Sequence, residues 1–172
     1  MKDVPVSVLG RWEEVINSKV VEMEPEDLVT HQNITHNIIN ELKSKIGDKK
    51  YRVYGSGVGV LLKEGENFVP DVIIVDENII TDDGIQGVPK FVAEVICDKS
   101  EIRDRGYKKD LYEKMGVEEY WIVCPVNKFI EVYHLQNYKY VLSNIYNFET
   151  DKAGIFSLYA LNDIIFDIQN IF

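Results

Sequence analysis

Apolar residues along this chain recur with a period of two in some stretches, at helical spacing in others and as unbroken runs between them, and each pattern predicts a different element. Trp12 to Glu22 alternate loosely around the turn-prone pair Asn17-Ser18, so WEEVI and KVVEM read as the two arms of a hairpin. Pro25-Glu26-Asp27 then supplies helix-start chemistry. Ile34, Ile38, Ile39, Leu42 and Ile46 follow at helical spacing until Gly47, which predicts an amphipathic helix over His31 to Ile46. Short strands are predicted at Tyr51 to Tyr54 and Val58 to Lys63, broken by Gly55-Ser56-Gly57 and closed by a polar turn at Glu64-Gly65-Glu66-Asn67.

The next runs change character. DVIIV (Asp71 to Val75) and FVAEVI (Phe91 to Ile96) lack alternation and read as strands buried on both faces, as in the centre of a sheet covered by helices. The acidic stretch between them, Asp76 to Pro89, reads as a functional or mobile loop. A second helix is predicted from Ser100 to Met115 with Gly116 as its stop. Strands YWIVC (Tyr120 to Cys124), FIEVYHL (Phe129 to Leu135) and YKYVL (Tyr138 to Leu142) follow, with hairpin turns at Asn127-Lys128 and Gln136-Asn137. Ser157 to Phe172 show no clean period and receive no assignment.

Size and composition narrow the class. A chain of 172 residues, 45% of them hydrophobic, suits one domain spanning 1–172. No leader-like apolar segment follows Met1-Lys2-Asp3-Val4-Pro5 and no run approaches a membrane span, so a soluble, cytoplasmic protein is expected. Cys97 and Cys124 each end an apolar run, which suits small buried residues in a reducing compartment rather than a disulfide framework. The net charge of −10 argues against a protein that coats nucleic acid without specificity. The charge is uneven, however: Lys99 to Lys114 holds six basic residues against four acidic ones. That stretch is either a phosphate-facing surface or a solvated helix face laced with ion pairs.

Glu94 is the oddest residue, a carboxylate in the middle of FVAEVI. Burying it ionised without a partner costs several kcal/mol, so it calls for a proton, a cation or a metal. Asp71 opens the other buried-looking strand, 23 residues earlier, and side-by-side pairing would bring both carboxylates to one end of the sheet. Two convergent oxygen ligands suit magnesium or manganese, with water and a substrate phosphate completing the shell. Taken singly, Asp71 reads as readily as a turn residue after Pro70, and Glu94 as an edge-strand residue facing water.

These residues carry a resemblance. Pro70-Asp71 with VIIV behind it, Gly87-Val88-Pro89, FVAEVI, the segment IRDRGYKKDLYEKMGVEEYWIVCP and NKFIEVYHL, together with RWEEVINSKVVEM and His31-Gln32, resemble the Uma-two family over nearly the whole chain. That family is a restriction endonuclease branch of the PD-(D/E)XK nuclease superfamily. The resemblance implies an α/β fold with a central mixed β-sheet flanked by helices, an N-terminal β-hairpin and C-terminal antiparallel strands. It implies a magnesium- or manganese-dependent endonuclease acting on DNA, with a homodimer expected by analogy.

Residue by residue, Asp71 matches the motif aspartate and Glu94 the acidic residue of the (D/E)XK element. Ile96 stands where that element's lysine would be, and the resemblance assigns the role to Lys108 instead. Asp71, Glu94 and the Val95 carbonyl would hold the metal, while Lys108 would orient water or stabilise charge on the phosphorane. Asp104, Lys108 and Tyr112 fall on one helical stripe, and Glu14 and His31 match family-typical positions, which makes Glu14, His31, Asp104 and Tyr112 supporting candidates. The bland readings stand beside these: Lys108 as a surface lysine paired with Asp104, His31 as a helix cap. Cys97 and Cys124 fall where the family resembles serine and aspartate. This departure keeps a second function class open, a nuclease-fold binding module without hydrolysis. A phosphoesterase acting on a small nucleotide is a third, without a base-binding motif to support it.

Overall fold

The computed structural model describes residues 12–16, 19–23, 28–47, 50–61, 67–97, 100–151, 154–161 and 164–172, with 12–16, 19–23 and 28 described by their backbone alone. The turn expected at Asn17-Ser18, the helix start at Pro25-Glu26-Asp27, the end of the second short strand at Leu62-Lys63, the turn at Glu64-Gly65-Glu66, and Lys99 lie outside the described residues.

Among the described residues the centre is a six-stranded sheet in the order β12-β11-β10-β9-β6-β3. Its strands are β3 (Tyr51–Gly55), β6 (Val72–Asp76), β9 (Phe91–Val95), β10 (Glu119–Cys124), β11 (Phe129–Gln136) and β12 (Lys139–Asn147). The pair β9 and β10 is parallel and the other neighbours are antiparallel, so the sheet is mixed. β6, β9 and β10 are buried almost throughout, which explains why their sequences lack alternation: both pleat faces meet apolar layers.

The alternation reappears in what each face touches. Val72, Ile74, Phe91, Ala93, Val95, Trp121 and Val123 pack with Ile34, Ile38, Ile39 and Leu42 of helix α1 (Leu28–Lys45). Ile73, Val75, Val92, Ile96, Tyr120, Ile122 and Cys124 face the other way and pack with Tyr112, Val117, Val60 and Ile85. Leu42 is fully buried, so Leu42→Ala would cost about 3 kcal/mol by leaving a cavity under α1.

The second face is covered by a continuous helical run: α2 (Glu101–Arg103), a π-helical turn (Asp104–Lys108) and α3 (Lys109–Met115). Gly116 ends it in the left-handed conformation, φ 89°, which a side chain would resist. Beside it lies a second sheet of short strands in the order β2-β1-β5-β4-β8-β7. These are β1 (Trp12–Ile16), β2 (Lys19–Met23), β4 (Val60–Leu61), β5 (Asn67–Phe68), β7 (Ile80–Thr81) and β8 (Gly84–Ile85). Phe68 of β5 meets Tyr112 edge-on, ring centroids 6.5 Å apart, and joins this sheet to α3.

Several expectations are corrected. Asp76 to Pro89 is a folded arm rather than a loop: Asp76 caps a 3₁₀ turn at Glu77–Ile79, and β7 and β8 form a hairpin that buries Ile85. Gly84 makes this arm feasible, since its φ is 127° and a Cβ there would come within 2.9 Å of the Gly59 carbonyl oxygen. Asn67 opens β5 instead of ending a turn. The β11–β12 turn centres on Asn137 and Tyr138, both with positive φ, one residue later than expected. The unassigned C-terminal stretch forms a hairpin of β13 (Ile155–Ser157) and β14 (Ile165–Asp167), pairing Phe156 with Phe166 against Trp121. No described helix is long and apolar enough to cross a membrane.

Candidate active site

Antiparallel pairing of β6 with β9 sets Val72 opposite Ala93, and one further step in that register puts Asp71 opposite Glu94. Residues directly opposed in an antiparallel pair project to the same face, so both carboxylates arise at one end of the sheet on the side of α3.

Asp71 is held from both layers. Its Oδ2 accepts hydrogen bonds from the Val95 backbone N–H at 2.8 Å and from His31 Nε2 at 3.1 Å, and its Oδ1 from Ser56 Oγ at 3.3 Å. His31 lies in the first turn of α1, so the helix covering the opposite face reaches around the end of the sheet to this carboxylate. Burial alone would raise the Asp71 pKa, but the His31 hydrogen bond and charge, the Lys108 charge and the Val95 N–H hold it below its usual value. Burial likewise opposes charge on His31, and the Asp71 partnership outweighs it and raises the His31 pKa.

Glu94 is 2% exposed and Lys108 is fully buried. Glu94 Oε1 accepts from Lys108 Nζ at 3.0 Å and from the Tyr112 hydroxyl at 2.7 Å. Asp104 stands on the other side of the ammonium, its Oδ1 3.6 Å from Lys108 Nζ and 3.7 Å from Arg103 Nε. That oxygen is buried and has no hydrogen-bond partner among the described residues. Burial pushes the Asp104 carboxyl up, against the opposing pull of Lys108, Ser100 and Arg103. The Tyr120 hydroxyl donates to the Asp104 carbonyl at 3.0 Å, and burial keeps that phenol protonated far into the alkaline range.

The π-helical turn spans Asp104 to Lys108 itself, with Gly106 in its middle facing open space. Such single wide turns inside α-helices are frequent at functional sites. Here it turns Lys108 fully inward while Arg105 stays outside, bonded to Glu101 at 2.7 Å and to both Glu131 oxygens at 2.6–2.7 Å. Lys109 lies over the Tyr133 ring at 4.0 Å. The basic stretch is therefore an ion-paired helix face in large part, and Lys108 is no surface lysine.

Of the sequence candidates, the structure brings Asp71, Glu94, Lys108, Tyr112, Asp104 and His31 into one connected cluster. It shows the Val95 N–H turned to Asp71. Glu14 is placed by its backbone in β1, opposite Val21, and its side chain lies outside the described residues. Ser56 was missed: Gly55-Ser56-Gly57 reads as a strand break, and only the fold brings its hydroxyl to Asp71. Cys97 and Cys124 are free thiols. The backbone N–H of Cys97 donates to Ser100 Oγ at 3.1 Å, so a serine does serve this turn, three residues later.

Among the described residues no group of three or more His, Cys, Asp or Glu side chains gathers around one point as a metal cage. What the site offers is a pair of carboxylates, one of them already holding a buried cation in Lys108. That donor set suits a hard ion such as magnesium, which is commonly bound through one or two carboxylates with water and substrate phosphate supplying the rest.

Comparison with known proteins gives a consistent picture. The Uma2 family model, described as "Putative restriction endonuclease", matches residues 9–155. An uncharacterized protein of Synechocystis sp., sll1609, is 29% identical over 98 residues, which cover 54% of this chain and 55% of that protein. A crystal structure titled as that of a "putative nuclease belonging to DUF820" from Anabaena variabilis superposes with a TM-score of 0.74 at 14% identity, covering 92% of this chain and 88% of that one. At that identity the likeness is one of fold.

Proposed function

We propose, from the premise that this chain belongs to the Uma2 family, that it is a divalent-metal-dependent endonuclease hydrolysing phosphodiester bonds in DNA. The observation that carries the proposal is the buried Lys108 ammonium seated on Glu94, with Asp71 opposite in register. A protein that needed only stability would do as well or better with apolar residues there, because desolvating an ion pair commonly offsets its attraction.

When bound, magnesium or manganese held by Asp71, Glu94 and the Val95 carbonyl would polarise the scissile phosphate and acidify a coordinated water. His31, Ser56 and the Val95 N–H keep Asp71 ionised and oriented, so its charge is ready before any ligand arrives. Tyr112 fixes the Glu94 carboxylate through its hydroxyl. Lys108 then donates to a phosphate oxygen as negative charge builds there, a role suited to an ammonium already stripped of water. It takes the place of the motif lysine because Ile96, at that position, is committed to the core beneath α3.

The test is plasmid DNA incubated with purified protein and magnesium or manganese. Cleavage by the wild type that disappears in Asp71→Ala and Glu94→Ala is the expected result; wild-type inactivity, or equal cleavage by the variants, would sink the reading. Ion pairing of the Arg105 side chain favours a second reading, a binding module with weak electrostatic hold on DNA, and DNA retention without cleavage would select it.

A further inference from the structure

In this structure the Lys108 ammonium already occupies one of the oxygens that a cation would claim. Nζ is 3.0 Å from Glu94 Oε1. A divalent ion on Glu94 would place two positive centres against one carboxylate, at a depth where repulsion is poorly screened. Lys108 is fully buried, so it can leave Glu94 only for another anion. One such anion is in reach: Asp104 Oδ1, 3.6 Å away on the same helical run, buried and without a hydrogen-bond partner among the described residues. A shift of well under 1 Å would convert that near contact into a charge-assisted hydrogen bond.

We propose that Asp104 is a positioning residue, the second seat of the Lys108 ammonium, taken when a divalent cation claims Glu94. The proposal rests on the metal-dependent reading given above. The π-helical turn is what makes the exchange local, because it sets both seats beside one lysine and the ammonium changes carboxylates without the helix moving. In the second seat Lys108 stays charged and can still donate to a substrate phosphate.

Manganese binding to the protein alone, measured by calorimetry without nucleic acid, tests this. Asp104→Asn should weaken manganese affinity about tenfold, since the displaced ammonium then loses the carboxylate proposed to receive it. In a Lys108→Met background the same Asp104→Asn change should alter affinity less than about twofold, because no ammonium needs a seat. If Asp104→Asn does not fold, Asp104→Ser takes its place with the same expectation. A merely structural Asp104, or one acting only through its own charge, would give the same loss with and without Lys108, and that result overturns the proposal, as does unchanged affinity in the single variant. Wild-type protein that binds no manganese overturns the metal-dependent reading along with it, whereas wild-type binding with an indifferent Asp104 overturns this proposal alone.

Discussion

Three glutamates are buried in the central sheet, and two of them, Glu94 and Glu119, are buried for different ends. Glu119 opens β10 and is fully buried; Glu94 lies in β9 and is 2% exposed. The parallel register sets Glu119 opposite Phe91 and Glu94 opposite Ile122, so they sit three residues apart along the sheet and face opposite layers. Glu119 Oε1 accepts from the Trp121 indole N–H at 2.7 Å, and Oε2 from the Ala160 backbone N–H at 2.9 Å. Both donors are neutral, one in a core ring and the other in the chain between the two strands of the C-terminal hairpin. Glu94 is bonded to an ammonium on a flexible stem and to a phenol. A carboxylate held by neutral donors works as a clamp; one that holds a cation is the one that, on the proposed reading, trades that cation for a metal ion. Burial marks both residues, and the donors tell them apart.

The largest effects should separate the two. Lys108→Met is expected to lower DNA cleavage by about 10²- to 10³-fold, as loss of a charge-stabilising donor does. Cleavage within about threefold of wild type under saturating magnesium would remove Lys108 from the chemistry. On stability, Lys108→Met should cost about 3 kcal/mol, because it takes the ammonium from between the buried Glu94 and Asp104 carboxylates. Glu94→Gln should cost less, because Asp104 lies 3.6 Å from that ammonium, and the double variant should recover most of the Lys108→Met loss. Urea denaturation of all four proteins checks this, and strictly additive losses would mean the pair is not coupled.

Glu119→Ala is the matching perturbation at the clamp. It leaves the Trp121 and Ala160 N–H groups without their acceptor, and a loss of about 2 kcal/mol is expected. Cleavage per folded molecule should not change. A variant that folds well but cuts poorly would show that the clamp also shapes the site, and the distinction between the two glutamates would fail.

Much of this layout could be read in the sequence, and the parts that could not have physical causes. Asp71 and Glu94 stood out because a charge inside an apolar run must be accounted for whatever the fold. Glu119 passed unnoticed because it begins its run, where a carboxylate normally meets water; its interior place depends on distant partners such as Ala160, 41 residues later. Helix α1 was visible from its isoleucine spacing, yet nothing in that spacing says that its first turn bends around the sheet to Asp71. The π-helical turn is invisible too. Asp104, Lys108 and Tyr112 have the same spacing in an α-helix, and nothing in that spacing marks the wide turn at Asp104–Lys108. The Asp76 to Pro89 arm misled because its acidic residues hide the apolar positions that fasten it to the core, Ile85 fully buried and Ile79 and Ile80 packed beside it.

Smaller perturbations probe how each carboxylate at the site is held. Tyr112→Phe removes one donor from Glu94 and leaves Lys108 in place, so about 1 kcal/mol should be lost with the fold intact. Stability equal to wild type in urea would mean that the hydroxyl contributes nothing to the seat.

The smallest effect concerns His31, and it should depend on pH. The folded His31 pKa is raised above its usual 6.5, so its contribution is fully present below that pH and fades as pH climbs through the raised value. The Asp71 pKa is lowered from its usual 3.8, so its contribution is present above that pH and fades only in stronger acid. The two windows overlap between 3.8 and 6.5, and there the pair stabilises the fold most. His31→Ala should therefore cost about 1 kcal/mol at pH of about 5.5 and visibly less at about 9. Thermal melts of wild type and variant at both pH values decide it. An identical shift at both would mean that His31 supports Asp71 as a neutral hydrogen-bond donor, and the charge of the imidazole would drop out of the account of how this carboxylate is kept ionised.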